Sequence, residues 1–150
     1  MHLFPIVVLD KIFHTKTQIP SGFAALQGGT TMKGLIIKQP WIERILDGSK
    51  TWEIRGSATH TRGPIALIPS GSGCVVGVVD LVDCLSLSAK QYRQGQAFHQ
   101  IQNAAVVPLP YPRLYAWVLA HPRRLAVPRP YGHPRGAVIW VRLPEGFEGL

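Results

Sequence analysis

The run Gly48-Ser49-Lys50-Thr51-Trp52-Glu53-Ile54-Arg55 turns the end of a helix into the start of a strand and crowds an amine, a carboxylate and a guanidinium around that corner. Upstream of it, Pro40 suits a first helical position, and Ile42, Ile45 and Leu46 recur at helical spacing. Gly48 can enter the left-handed region that closes a helix, so residues 40–47 are predicted to form a short one. Downstream, Trp52 and Ile54 alternate with Thr51, Glu53 and Arg55, the period-two pattern of a strand. Glu53 and Arg55 therefore share one face. Lys50 has the opposite parity and can join them only if the corner turns its side chain round, which is a geometric demand on the fold.

Gly48, Lys50 and Glu53 fit a G-x-K-x-x-E pattern, preceded by Gln39-Pro40-Trp41. Further pieces follow in order: Gly77-Val78-Val79-Asp80-Leu81-Val82-Asp83, Tyr115-Ala116-Trp117-Val118-Leu119 and Ile139-Trp140-Val141-Arg142-Leu143. Together these resemble the ASCH domain family from about Met32 to Leu143. The resemblance implies an α+β, PUA-like fold, a small mixed or antiparallel β-barrel with helices packed on its side. It also implies association with RNA, and a few members resemble, or are, small hydrolases.

At 150 residues the chain fits one domain with a single core. Its apolar run from Val75 to Val79 ends at Asp80 and, like every other such run, is far short of the ~20 residues of a membrane helix. The N-terminal segment has no basic leader, and Pro5 and Asp10 interrupt its apolar stretch, so it reads as a poor secretory signal and cytoplasmic residence is the default. Cys74 and Cys84 are then expected as reduced thiols, and on one extended strand they lie too far apart for a bridge. The net charge is +8 and unevenly spread. Between Cys84 and Pro144 there is no acid, while Lys90, Arg93, Arg113, Arg123, Arg124, Arg129, Arg135 and Arg142 are all basic. Arginine's planar fork suits phosphate and stacks on bases, so an anionic partner is expected, nucleic acid foremost, and the resemblance implies that this is RNA or a nucleotide. The competing reading is a basic protein with no specific partner.

Along the chain, residues 1–31 form an extension with no family counterpart, expected to be loosely held, and residues 32–150 form the domain. Lys33 to Lys38 reads as its first strand, residues 56–63 as a polar loop, and Ile65 to Ile68 as a strand ending in a Pro69–Gly73 turn. Val75 to Val82 is apolar on both parities except for Gly77 and Asp80, as a strand covered on both faces would be. Ser86 to Ala105 is helix-compatible, capped by Ser88 and split at Gly95, and is expected to cover one barrel opening. Leu114 to Leu119 reads as a strand. His121 to Pro134, with Pro122, Pro128, Pro130 and Pro134, reads as an extended irregular segment.

Lys50 and Glu53 are the candidate catalytic pair. A lysine desolvated in a cleft can act as a base or hold phosphate, and Glu53 can orient it or move a proton. Spacing alone equally allows an ordinary surface ion pair worth ~0 to 1 kcal/mol. Arg55 would contact phosphate or a carbonyl oxygen, a structural Glu53–Arg55 pair being the rival. Small relatives resembling acetylcytidine amidohydrolases carry threonine three residues after the lysine; here that position is Glu53, and strand parity turns Thr51 away from Lys50. If the protein is an enzyme, a hydrolase of RNA (a ribonuclease) or of a modified nucleoside, Lys50→Met is expected to abolish turnover without altering the melting temperature. A non-catalytic domain binding a protein or small ligand is the third reading.

Gln39, Trp41, Arg55, Tyr115, Arg123, Arg124 and Arg129 are the candidate nucleic-acid contacts. Gln39 could read a base edge or help cap the helix, and aromatic rings could stack on bases at ~1 to 3 kcal/mol each. Trp52 and Trp140 are expected in the core, with Trp41, Tyr115 or Tyr131 at the cleft. The scattered histidines and the two cysteines match no metal-ligand spacing, Ser70 lies in a Gly-Ser turn rather than a nucleophile elbow, and no motif requires a metal or cofactor.

Overall fold

The structure is a computed structural model that describes residues 31–150; the expectation of a loosely held N-terminal extension falls outside the described residues. Its elements run β1 (Lys33–Ile37), α1 (Trp41–Leu46), β2 (Trp52–Arg55), β3 (Gly63–Pro69), β4 (Cys74–Leu87), α2 (Ala89–Gln94), α3 (Gln96–His99), β5 (Leu114–Pro130) and β6 (Trp140–Arg142). The strands form one mixed sheet in the order β2-β5-β4-β3-β1-β6. β1 and β3 run parallel because α1 and β2 intervene, and every other neighbouring pair is antiparallel. The result is an α+β half-barrel with small helices. Three register shifts along the β4–β5 ladder, at Val75/Gly77, Val78/Asp80 and Leu81/Asp83, add local twist that helps a six-stranded sheet curl.

Strand parity distributes the core. Leu35 and Ile37 of β1 join Ile65 and Leu67 of β3, Val79 and Leu81 of β4, and Trp117 and Leu119 of β5 around the buried side of α1, formed by Ile42, Ile45 and Leu46. The alternate residues Ile36, Ala66 and Ile68 meet Val75, Val78, Val141, Leu143 and Phe147 on the opposite face. A strand buried on both faces cannot show a polar alternation, and that explains the apolar run of β4. Its buried positions change parity between Val75 and Val78, where the register shifts. A third cluster, Ile54, Tyr92, Ala104, Leu114 and Ala116, lies beneath the α2–α3 segment. Ser88 caps α2 in a reciprocal box with Gln91, and Gly95 separates α2 from α3.

Several expectations change in the fold. Pro40 is the residue before α1 rather than its first helical position, and neither it nor Gln39 satisfies an α1 backbone donor through a side chain. The segment expected to be irregular from His121 onward continues β5 as far as Pro130. β2 pairs with β5 only up to Val118, with one further bond from Leu119 N to Thr51 O, so beyond that point β5 pairs only with β4. A free edge is where prolines lacking an N–H are tolerated. Trp52 and Trp140 are half-buried, Trp52 stacked on Phe98 at 4.7 Å and Trp140 on Trp117 at 5.5 Å; the buried tryptophan is Trp117, whose Nε1 donates to Ser57 O at 2.9 Å. Cys74 and Cys84 are both free thiols on β4. No helix among the described residues is long and apolar enough to cross a membrane.

Gly77 shows how tightly α1 sits on the sheet. A Cβ there would run into the Leu46 side chain and stand 2.7 Å from Arg123 O. Gly77→Ala is therefore expected to destabilise the protein by ~2 kcal/mol through overpacking, read as a lower urea midpoint at unchanged slope.

Candidate functional site

The corner after α1 is built by local hydrogen bonds. Gly48 takes φ +85°, Asp47 Oδ1 accepts from Ser49 N at 2.8 Å, and Lys50 N donates to Arg44 O at 2.8 Å. Residues 47–51 lie outside α1 and β2, so strand parity does not bind Lys50, and its side chain swings to the face of Glu53. Lys50 is 2% exposed. Its Nζ donates to Trp52 O at 2.7 Å and His99 O at 2.9 Å, and lies 3.3 Å from Glu53 Oε2. Three oxygens around one nitrogen call for three protons, so the amine is an ammonium with every donor engaged. Burial pulls its pKa below the ordinary lysine value and the Glu53 carboxylate opposes that pull.

Glu53 and Arg55 share a face, as their parity requires. Arg55 Nε and Nη2 both approach Glu53 Oε1 at 3.1 Å, and Nη2 reaches Ile36 O at 3.4 Å. Arg55 thereby links the sheet's first strand, β2, to β1 near its other end. Its guanidinium also stands 5.5 Å from the centre of the Trp117 ring. Among the described residues Nη1 has no partner, and Glu53 Oε2 keeps a lone pair beyond its contact with Lys50.

These side chains form the floor of a cavity of about 430 Å³. Its walls are Ile36, Ile37 and Lys38 from the end of β1, Trp41 at the start of α1, Ser70 after β3, and Ile101, Pro110, Tyr111 and Val138 from the connecting segments. Of the candidates from sequence, Lys50, Glu53, Arg55 and Trp41 come together here. The Trp41 ring carries two cations, Lys50 Nζ at 5.2 Å and Arg44 at 5.3 Å from its centre. Gln39, Thr51, Tyr115, Arg123, Arg124 and Arg129 are not part of the cavity wall. Tyr115 packs against the core, Arg123 pairs with Asp80 at 3.2 Å, Arg124 pairs with Glu43, and Arg129 lies 4.2 Å from the centre of the Phe147 ring. Tyr131 packs in the second core cluster with its hydroxyl on His133.

Lys38, Tyr111 and His99 are the residues that sequence reading missed. Tyr111 lies in a proline-rich connection with no period to orient it, and its ring sits against Gly56, where a Cβ would come 3.0 Å from Cδ1. A glycine directly after the strand was the one available signal. Lys38 follows the first strand and its direction depends on how that strand ends. Among the described residues no group of three or more histidine, cysteine, aspartate or glutamate side chains is arranged to hold a metal.

The ASCH domain model matches residues 35–129 of the chain. Solved structures of the ASCH protein of Zymomonas mobilis share the fold. A serine-to-alanine variant superposes with a TM-score of 0.60 at 11% identity, covering 77% of this chain and 89% of that one. A tyrosine-to-phenylalanine variant gives 0.59 at 11%, covering 77% and 91%, and a further structure of that protein gives 0.58 at 14%, covering 77% and 89%. No curated protein sequence shows significant similarity to the chain.

The engagement of all three ammonium protons replaces the expectation that Lys50→Met leaves stability unchanged. Methionine there would leave Glu53 with Arg55 as its one cationic partner among the described residues and two carbonyls without their donor in a nearly dry site. Removing one partner of such a pair is expected to cost ~3 kcal/mol, measured by urea unfolding.

Proposed function

The chain belongs to the ASCH domain family, and on that premise we propose that it binds RNA, or a nucleotide, in the cavity around the G-x-K-x-x-E motif, on a fold of the PUA-like class. The observation that carries this is the division of labour on the cavity floor. The Lys50 ammonium is consumed internally, which leaves the cavity with a carboxylate acceptor on Glu53 and with an Arg55 guanidinium whose Nη1 has no partner among the described residues. A cavity that offers both an acceptor and a donor suits the edge of a nucleobase, which carries N–H groups as well as carbonyl or ring-nitrogen acceptors. A phosphate would instead meet the negative charge of Glu53. The base therefore goes inward against Tyr111, and the backbone stays at the mouth, where Lys38 supplies positive charge. The exposed arginines add long-range attraction rather than specific contacts, because Arg123 and Arg124 already hold carboxylates.

A second reading is hydrolysis of RNA or of a modified nucleoside in the same cavity. The open Glu53 oxygen favours it, since a carboxylate lone pair facing the cavity can orient an attacking water. Mass spectrometry of total RNA and of a modified-nucleoside panel, with wild-type protein and Glu53→Gln, tests it. Turnover lost in the variant supports hydrolysis, and absence of any product excludes it for those substrates.

Binding of single-stranded oligonucleotides by fluorescence anisotropy tests the main reading. Affinity is expected to fall with salt. Lys38→Ala should reduce the salt slope by roughly 0.7 for one lost phosphate contact, whereas Arg55→Ala should weaken binding about tenfold or more with little change in slope. Tyr111→Ala should cost ~1 to 3 kcal/mol. Affinity that ignores both salt and Arg55 would overturn the proposal.

The alkaline side gives an independent check. Lys50 loses its proton below the ordinary lysine range, so binding should fall there while the fold persists. The sign follows from linkage: a lysine with a depressed folded pKa costs stability while charged, and between its folded and unfolded values stability rises with pH. Anisotropy and circular dichroism over the same pH series separate the two effects.

A further inference from the structure

Three consecutive carbonyls at the end of α3 grip the corner that builds the site. Phe98 O accepts from Thr51 N, His99 O from Lys50 Nζ and Gln100 O from Arg44 Nη1, each at 2.9 Å. In the middle of this clamp the His99 side chain is fully buried, stacked on Tyr92 at 4.7 Å between ring centres. Its Nε2 lies 2.8 Å from Tyr92 O, and its Nδ1 accepts from Ile101 N at 3.0 Å. A carbonyl only accepts and a backbone amide only donates, so the proton resides on Nε2 and Nδ1 presents its lone pair. The surroundings fix one neutral tautomer. A second proton on Nδ1 would face the Ile101 N–H directly.

We propose that His99 is a positioning residue, its neutral imidazole holding the α3 carbonyls on Lys50, and through Lys50 the Glu53 carboxylate, so that protonation of His99 releases the floor of the cavity. The inference rests on the reading of that cavity as the ligand site. The two residues flanking the ring's hydrogen bonds carry the effect outward: His99 O holds Lys50, and Ile101 is itself part of the cavity wall. The charged groups nearest the clamp are Lys50 from the corner, backed by Glu53, and Arg44 from α1. From α2 the facing group is the Tyr92 phenol ring. Both cations oppose a further positive charge.

Burial holds His99 below its ordinary value of 6.5, the Tyr92 carbonyl opposes that, and the Lys50 ammonium adds to it. The folded state therefore refuses a proton that the unfolded chain accepts. The stability contributed by neutral His99 is complete above the unfolded value and declines as pH falls below it toward the folded value.

The test uses the full chain and oligo(U), whose uracil and phosphodiester groups gain no proton across the mildly acidic range. In wild-type protein, nitrogen NMR should show His99 in the Nε2–H tautomer at neutral pH. The Lys50 ammonium signal should be slow to exchange there and vanish as His99 takes up its proton. Oligo(U) affinity should fall over the same pH interval. His99→Asn keeps an acceptor for Ile101 N–H but cannot titrate; it should bind about tenfold more weakly at neutral pH and lose the acid limb. An acid limb that persists in this variant, or a Lys50 signal that ignores His99 titration, overturns the inference. Absence of oligo(U) binding at every pH would sink the functional reading instead. The ligand-free Lys50 signal would then still decide the role of His99.

Discussion

A buried ammonium with three oxygen partners organises this protein. Taking a lysine head out of water is costly, and the cost is met only where every proton finds an acceptor and an opposite charge stands close. Lys50 meets both conditions, with two carbonyls and the Glu53 carboxylate. Because those acceptors belong to β2 and the end of α3, the ammonium ties the α1–β2 corner to a segment about fifty positions further along the chain. Glu53 is in turn fixed from its other side by Arg55, and Arg55 reaches across to β1. One desolvated charge thus sets the positions of the groups that a ligand would meet.

The sheet explains why a cavity exists at that place. β2 is the first strand of the sheet and β6 the last, and neither pairs with the other. In a closed barrel, backbone ladders would fill the seam. In this half-barrel, side chains span it, Arg55 to Ile36 O at one point and Trp117 against Trp140 at another, and Arg55 and Ile36 both line the cavity. The same curl brings acids that precede Cys84 to arginines that follow it. Asp80 lies against Arg123 and His121, and Glu43 against Arg124, so the positive surface is less free than linear charge counting implies. These exposed pairs add little to stability, but they limit which guanidinium groups remain open to an anion.

Much of the local structure was legible from pattern. The helix before Gly48, the shared face of Glu53 and Arg55, the Ser88 cap and the division at Gly95 depend on neighbours within a few residues, and short-range rules describe them. The continuation of β5 through its prolines was not legible, because whether a proline disrupts a strand depends on which edge is free. The half-buried state of Trp52 and Trp140 was equally hidden. Their exposure is decided by Phe98 and Trp117, which arrive from other parts of the chain.

The amino-acid order by itself determined the corner, its three charged residues and the membership of the chain in its family, since these are carried by fixed spacings within a short stretch and by strand and helix periods. Tertiary structure alone decided that Lys50 spends its protons internally, that His99 and Tyr111 stand at the site, and that Arg123 and Arg124 lie outside the cavity wall. The physical reason is distance along the chain. A hydrogen bond between positions 50 and 99, or an ion pair between 43 and 124, leaves no trace in local periodicity and comes into being only when the sheet curls.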